Sequence, residues 1–261
     1  MKRSEVILVG TALAFGAFVA VQASRGARRR AAPAAASDSA AGPATLHTRE
    51  GDLVRVRQSS LPPPGARDYA EIDRDLASGR DVTYMDEILA ERGGNVARWV
   101  DRRDDPITVW IQRAPRVRDF WPDYPDRVRD AFYTWSNAGI PVRFLFTDDS
   151  AAAEVHVRWV DHFPDLTAGK TYWARDVNWW ILGADIELAL HASSGEAYDR
   201  LAVHAIALHE VGHLIGLDHS SNPDNIMSPR VHAMHLSPAD LRTANLIYRL
   251  PPGSVRDTTK Q

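Results

Sequence analysis

The 261-residue sequence contains no cysteine, and this absence removes several kinds of chemistry. Disulfide bonds, thiolate-ligated zinc sites, catalysis by a thiol and self-inhibition by a thiolate are all excluded. Any metal ion must therefore be held by nitrogen and oxygen ligands. The net charge is also small, at −3, and gives no indication of a nucleic-acid partner. With 44% hydrophobic and 25% charged residues, the chain can form an ordinary globular core.

The N-terminal residues 1–30 have the pattern of a signal peptide or a membrane anchor with a basic flank. Lys2 and Arg3 precede an uncharged apolar run, residues 6–23, which ends in small residues that suit signal cleavage. The run is also about long enough to cross a bilayer as a helix, and the arginines that follow it are unfavourable for export. Both alternatives predict an extracytoplasmic protein, either secreted or tethered to the membrane through residues 6–23.

Composition divides the remaining chain into four parts. Residues 31–67 are rich in Ala, Ser and Pro, which predicts a disordered linker. Residues 68–105 carry two short helical patterns and form either a removable pro-segment or a small N-terminal brace for the next domain. Residues 106–252 form the predicted main domain, and residues 253–261 a C-terminal tail.

Hydrophobic periodicity in the main domain predicts five strands and three helices. Strands are expected at residues 107–111, 142–146, 154–160, 170–174 and 185–190, and helices at 122–138, 199–215 and 237–248. This order of elements indicates an α+β domain built on a twisted, mixed sheet.

The segment from His209 to His219, HEVGHLIGLDH, has the spacing of a zinc site. His209 and His213 are four residues apart on the predicted helix, so both imidazoles can reach one zinc ion at about 2.0–2.1 Å. Glu210 lies beside the metal, where its carboxylate can contact water without ligating the ion. His219 can join only if the helix ends, and Gly216 permits this because glycine adopts left-handed conformations without steric cost. Three imidazoles and an open position are typical of catalytic zinc.

This extended motif resembles that of the metzincin clan and, within the clan, that of the matrixin-type zinc peptidases of family M10. Ser220 follows the third histidine as in matrixins, and Met227 lies where the clan has its Met-turn. A weaker resemblance extends from Ile107 to Tyr248. It implies a zincin-like fold with a twisted, mixed five-stranded sheet, three helices and the His-Glu-x-x-His motif on the active-site helix. Met227 would then form an apolar floor beneath the imidazoles.

The resemblance also implies a function, that of a zinc-dependent metalloendopeptidase with one catalytic Zn²⁺. Glu210 would act as the general base for a water that zinc activates, and would then pass the proton to the departing amine. The expected partner is a polypeptide substrate, with no nucleic acid, and the expected state is a monomer.

Substrate placement follows from the family, in which an extended peptide adds to the exposed edge of the fourth strand. That strand corresponds here to residues 167–174. Its candidate substrate-binding residues are Gly169, Lys170, Thr171 and Tyr172. The pocket for the residue after the cut is expected beside Pro229, Arg230 and Val231.

The chain departs from the animal matrixins in two respects. It has no pro-segment cysteine, so the resemblance is to a bacterial-style matrixin without a cysteine switch. The loop that binds a second zinc and calcium in those enzymes is short here, at residues 161–165, so a solvated turn is expected there rather than Ca²⁺ or a second structural Zn²⁺. Asp218 could either orient a ligand imidazole or stabilise the turn before His219.

Two other functions remain open from the sequence. The same site could hydrolyse an ester or a non-peptide amide, or the chain could be a membrane-tethered zinc-binding protein without catalysis. Glu210 argues against the non-catalytic alternative, because a structural zinc site needs no base and usually has four protein ligands.

Overall fold

The structure, a computed structural model, describes residues 45–47 and 53–256. The predicted signal or anchor at residues 1–30, much of the linker and residues 257–261 lie outside the described residues. No helix in the described part of the chain combines the length and the hydrophobicity needed to cross a bilayer.

Five helices and nine strands are present in the described residues. The helices are α1 (Tyr69–Gly79), α2 (Met85–Glu91), α3 (Tyr124–Ser136), α4 (Arg200–Leu214) and α5 (Pro238–Arg249). The strands are β1 (Thr45–His47), β2 (Leu53–Val56), β3 (Asn95–Val96), β4 (Arg102–Ile111), β5 (Val142–Phe146), β6 (Val155–Val160), β7 (Gly169–Arg175), β8 (Ile181–Ala189) and β9 (Gly253–Ser254).

The main sheet has the strand order β1-β2-β7-β8-β6-β4-β5. Strands β5, β4, β6 and β8 run parallel to one another, whereas β7 is antiparallel to β8. The predicted five strands correspond to β4–β8, and the α+β prediction with a mixed sheet is confirmed. Two strands, β1 and β2, extend this sheet from within residues 31–67, where composition predicts a linker.

Two strands begin earlier than the sequence predicts. Strand β4 starts at Arg102 instead of Ile107. The sequence does not indicate this earlier start, because the first residues of the strand have mostly exposed side chains and show no hydrophobic alternation. A register shift between Arg102 and Ile107 marks where this polar part joins the buried part. Strand β8 starts at Ile181 instead of Asp185. The prediction places its start too late because Gly183 interrupts the apolar pattern.

Helices α3 and α4 form the layer that carries the candidate site. In α3, Val128, Phe132 and Trp135 are buried, as their spacing predicts, and Trp135 Nε1 donates to Leu208 O of α4 at 2.8 Å. Nearly every residue of α4 after its first turn is buried, so this helix lies in the interior rather than on the surface. Its N-cap is Asp199, whose carboxylate accepts from Ala202 N.

Residues 68–105 pack against the main domain through their helices and one strand. Helices α1 and α2 contact α5, and Tyr84 OH donates to the buried Asp240 Oδ1 at 3.0 Å. Strand β3 pairs with β9, which lies in residues 253–261 where the sequence predicts a tail. The segment thus shares a hydrophobic core with α5 and with α4, the helix that carries the candidate site, through residues such as Ile88 and Trp99.

Candidate metal centre

Three histidine side chains converge at the C-terminal end of α4. Rings of His209 and His213 lie on one face of the helix with centroids 4.7 Å apart. The ring of His219 lies 5.3 Å from the first and 4.9 Å from the second. One ring nitrogen from each residue lies within 4.8 Å of the other two, and among the described residues this is the group that could hold a metal ion.

The hydrogen bonds of two of these rings fix which nitrogen carries a proton. His209 Nδ1 lies 2.7 Å from Ile226 O, and His213 Nδ1 lies 3.2 Å from Leu217 O. A carbonyl oxygen only accepts, so both Nδ1 atoms must donate and, in the neutral rings, both Nε2 atoms carry lone pairs. Burial lowers the pKa of His209 to about 4, and burial together with His209 lowers that of His213, so both rings are neutral.

This arrangement fits a zinc ion. The two Nε2 atoms of His209 and His213 are 3.1 Å apart, and neither can donate to the other. Two ligands of one tetrahedral zinc ion would lie roughly 3.3–3.4 Å apart, given Zn–N bonds of about 2.0–2.1 Å. A shared cation would therefore resolve the repulsion between two lone pairs that are buried at this separation.

The turn that brings His219 back to the other rings is a Schellman motif. Gly216 N donates to His213 O, and Leu217 N donates to Gly212 O, each at 3.0 Å. Gly216 has a φ of +104°, and a Cβ at this position would overlap the carbonyl oxygen of Ala97. Both constraints require glycine here.

Asp218 is bonded within this turn. Its Oδ1 accepts from His219 N at 2.9 Å, and its Oδ2 accepts from Arg92 Nε at 3.1 Å. Burial alone would raise the pKa of Asp218, but the Arg92 guanidinium and the hydrogen bond from His219 N outweigh it and lower the pKa. These contacts support the turn-stabilising alternative for Asp218.

The Glu210 carboxylate is buried against strand β7. Thr171 Oγ1 lies 2.7 Å from Glu210 Oε2 and 3.0 Å from Glu210 O. A Cβ at Gly169 would lie only 2.5 Å from Glu210 Oε1. Residues 169 and 171 share the face of β7 that looks toward α4, whereas Lys170 and Tyr172 point to the other face. Two of the four predicted substrate-binding residues therefore contact the predicted base.

The outer edge of β7 is partly covered by the chain itself. Strand β2 pairs with it in parallel, with Arg55 opposite Ala174 and Val56 opposite Arg175, and Arg57 N donates to Arg175 O at 2.8 Å. The predicted exposed edge, residues 167–174, is thus wrong at the C-terminal end of β7, where β2 covers it. The sequence does not indicate this pairing, because a strand as short as β2 pairs through its main chain and leaves no side-chain pattern. None of the described strands pairs with residues 169–173 on this side.

Met227 lies beneath the helix and is fully buried. A Cβ on Gly212 of α4 would overlap the Met227 sulfur, so the thioether packs directly against the helix between the two histidines. Two hydrogen bonds fix the loop at Met227. Ser220 N donates to Met227 O, and the N–H of the preceding residue, Ile226, donates to Asp240 Oδ2. After this loop, Pro229 and Arg230 are exposed and Val231 is half-buried.

Sequence reasoning did not identify Arg92, Trp99 or Tyr248, whose side chains donate to carbonyl oxygens at the end of α4 and in the turn. No local pattern indicates these roles, because each depends on contacts between distant parts of the chain.

Comparison with known proteins agrees with this geometry. A family model described as Matrixin matches residues 103–249. Human matrix metalloproteinase-15 is 33% identical over 160 residues, which cover 58% of this chain and 22% of that protein. Matrilysin from Felis catus is 45% identical over 49 residues, which cover 17% of this chain and 19% of that protein. The matched region thus spans about a fifth of the length of these relatives.

Proposed function

This chain belongs to the matrixin family, and we propose that it is a zinc-dependent metalloendopeptidase that hydrolyses peptide bonds of extracytoplasmic proteins. The observation that carries the proposal is the convergence of three imidazoles beside a buried carboxylate, next to a partly open strand edge. A structural zinc site would need neither the carboxylate nor the open edge.

In this proposal His209, His213 and His219 hold one zinc ion through a ring nitrogen each. When bound, zinc polarises the scissile carbonyl and lowers the pKa of water. The Nδ1 hydrogen bonds to Ile226 O and Leu217 O orient two of the imidazoles for this role. Met227 excludes water from below the rings.

Glu210 is the proposed general base. Its carboxylate takes a proton from the attacking water and later delivers that proton to the nitrogen of the leaving amine. Thr171 Oγ1 donates to Glu210 Oε2 and so helps to hold the carboxylate in place for this transfer. Burial of Glu210 keeps bulk solvent away from this transfer.

The substrate is proposed to be an extended polypeptide that pairs with β7 along residues 169–173. The main chain of these residues supplies the hydrogen bonds, and the residue after the cut enters a pocket beside Pro229, Arg230 and Val231. Residues 6–23 are proposed either to direct export or to tether the protein, and the enzyme is proposed to act as a monomer.

The proposal is tested by cleavage of an unstructured protein with and without a metal chelator. Wild type should cleave it, chelator should stop the reaction, and zinc should restore it. Glu210→Ala should keep its zinc but lose most turnover, whereas Glu187→Ala, which removes a half-buried carboxylate from the opposite face of the sheet, should cleave normally.

Three outcomes would contradict the proposal. Glu210→Ala that cleaves at the wild-type rate would remove the base assignment. Activity restricted to ester substrates would indicate a different hydrolase. A fully zinc-loaded wild type without turnover on either substrate class would favour the non-catalytic zinc-binding alternative.

A further inference from the structure

The last carbonyl groups of a helix have no partner within it, and α4 ends beside the metal centre. Leu214 is the last residue of α4, and each of the four carbonyls from Leu214 to Leu217 in the following turn accepts a hydrogen bond from a side chain. Trp99 Nε1 donates to Leu214 O at 2.9 Å, and Tyr248 OH donates to Ile215 O at 3.0 Å. The next two carbonyls both accept from Arg92.

Arg92 is the C-cap residue of α2, and its side chain is only 9% exposed. Its Nη1 donates to Gly216 O at 2.7 Å, its Nη2 to Leu217 O at 2.9 Å, and its Nε to Asp218 Oδ2 at 3.1 Å. The guanidinium also lies over the Trp173 ring of β7, 5.4 Å from its centroid. Each of the three guanidinium nitrogens of Arg92 therefore donates one hydrogen bond to the turn between two proposed metal ligands.

Two of these acceptors are themselves bonded to the ligand residues. Leu217 O accepts from His213 Nδ1, and the Asp218 carboxylate accepts from His219 N. Arg92 is thus one hydrogen-bonded group away from both histidines. Groups in this position fix the orientation of metal ligands and influence metal affinity.

Other residues of the same segment contact both ends of the loop that follows. Ala97 O packs against the Cα of Gly216, where no side chain would fit. Glu87 Oε2 accepts from Ser221 N at 2.6 Å. Tyr84 OH donates to Asp240 Oδ1, and Asp240 Oδ2 accepts a hydrogen bond from Ile226 N. All these contacts come from residues before 103, where the match to the family model begins.

We propose that residues 84–99 are a permanent part of the active site rather than a removable pro-segment, and that Arg92 is the positioning residue that places the His219 imidazole. The inference rests on the proposed function, since it takes the three imidazoles as the zinc site. A brace that served the fold alone would contribute to stability without changing zinc affinity, and this difference can be measured.

The test compares Arg92→Gln and Arg92→Lys with a matched control, Arg102→Gln. Arg102 is similarly buried, at 11% exposure of its side chain, and it donates to both carboxylate oxygens of Glu154 away from the turn. Zinc affinity is measured by competition with a chromophoric chelator, and the melting temperature of the metal-free protein is measured in parallel.

Arg92→Gln should weaken zinc binding by roughly 10–100-fold, as expected for loss of a group that orients metal ligands. Arg92→Lys should fall between Arg92→Gln and wild type, because it keeps the charge but loses the fork. Arg102→Gln should melt at a lower temperature yet bind zinc within about twofold of wild type. If Arg92→Gln does not fold, Arg92→Lys carries the comparison.

Equal zinc affinity in wild type and both Arg92 variants would overturn the inference. So would an intact mass showing that the active, zinc-loaded protein begins after residue 102. Wild type that binds zinc without hydrolysing peptides would refute the proposed function alone, since the affinity comparison still decides the role of Arg92. Wild type that binds no zinc would overturn both.

Discussion

Gly169 provides a sharp test of how Glu210 is placed, because the carboxylate occupies the space that a side chain on β7 would need. A Cβ at this position would lie 2.5 Å from Glu210 Oε1, 2.7 Å from Cγ and 2.8 Å from Cδ. Favourable carbon contacts lie at about 3.5–4.0 Å, so Gly169→Ala should displace the carboxylate by on the order of 1 Å. The clash falls on a side chain rather than on backbone, so the fold should tolerate it.

A displacement of this size in the proposed catalytic base should cost about 100-fold in rate. Since each factor of ten corresponds to about 1.36 kcal/mol, the loss in transition-state stabilisation would be about 2.7 kcal/mol. Steady-state hydrolysis of a quenched fluorescent peptide measures kcat and KM, and we expect the loss in kcat. Zinc content should remain one ion per chain, because the three atoms nearest to the added Cβ all belong to Glu210 and none belongs to an imidazole.

Gly183→Ala on β8 is the matched control for this prediction. Its Cβ would lie 2.8 Å from the backbone oxygen of Glu154, so the main chain must shift and the melting temperature should fall. Turnover at a temperature where the variant is folded should stay close to wild type. The reasoning is refuted if Gly169→Ala keeps its zinc and turns over within twofold of wild type.

Three further predictions concern groups around the site. Thr171→Val removes the hydroxyl that donates to Glu210 and should lower kcat by about tenfold with zinc retained, whereas Thr171→Ser should restore most of it in the same peptide assay. Trp99→Phe leaves a buried carbonyl of α4 unsatisfied and should cost about 1–3 kcal/mol in chemical denaturation. Arg57→Pro removes the backbone N–H that donates to Arg175 O. Peptides long enough to reach that end of β7 should then be cleaved with a several-fold higher kcat/KM than by wild type. An unchanged preference for peptide length would contradict the role given to β2.

Much of the site was predictable because its chemistry is concentrated in eleven consecutive residues. The four-residue spacing of His209 and His213 holds on any helix, and Gly216 is where a Schellman ending requires glycine. The buried stripe of α3, with Phe132 and Trp135, likewise follows from helical periodicity and is confirmed. These are local properties, and one sequence contains all the information that they need.

The contacts that depend on distant segments were not predictable in this way. From the sequence, Arg92 is expected to be a solvent-exposed residue at the end of a short helix. Only the tertiary fold brings its side chain to the turn 216–218. Strand β2 likewise depends on main-chain pairing with β7, which leaves no hydrophobic pattern in four residues. Thr171, predicted to bind substrate, contacts Glu210 because α4 crosses β7 at that point.

Calorimetric titration of zinc into the metal-free protein tests most directly whether the three imidazoles form one metal site. Wild type should bind one zinc ion per chain. His219→Ala should bind far more weakly because its site keeps only two imidazoles, which in the fold lie 4.7 Å apart between ring centroids. If His219→Ala bound zinc with the stoichiometry and affinity of wild type, the third imidazole would not be a ligand, and the account of the active site would be wrong.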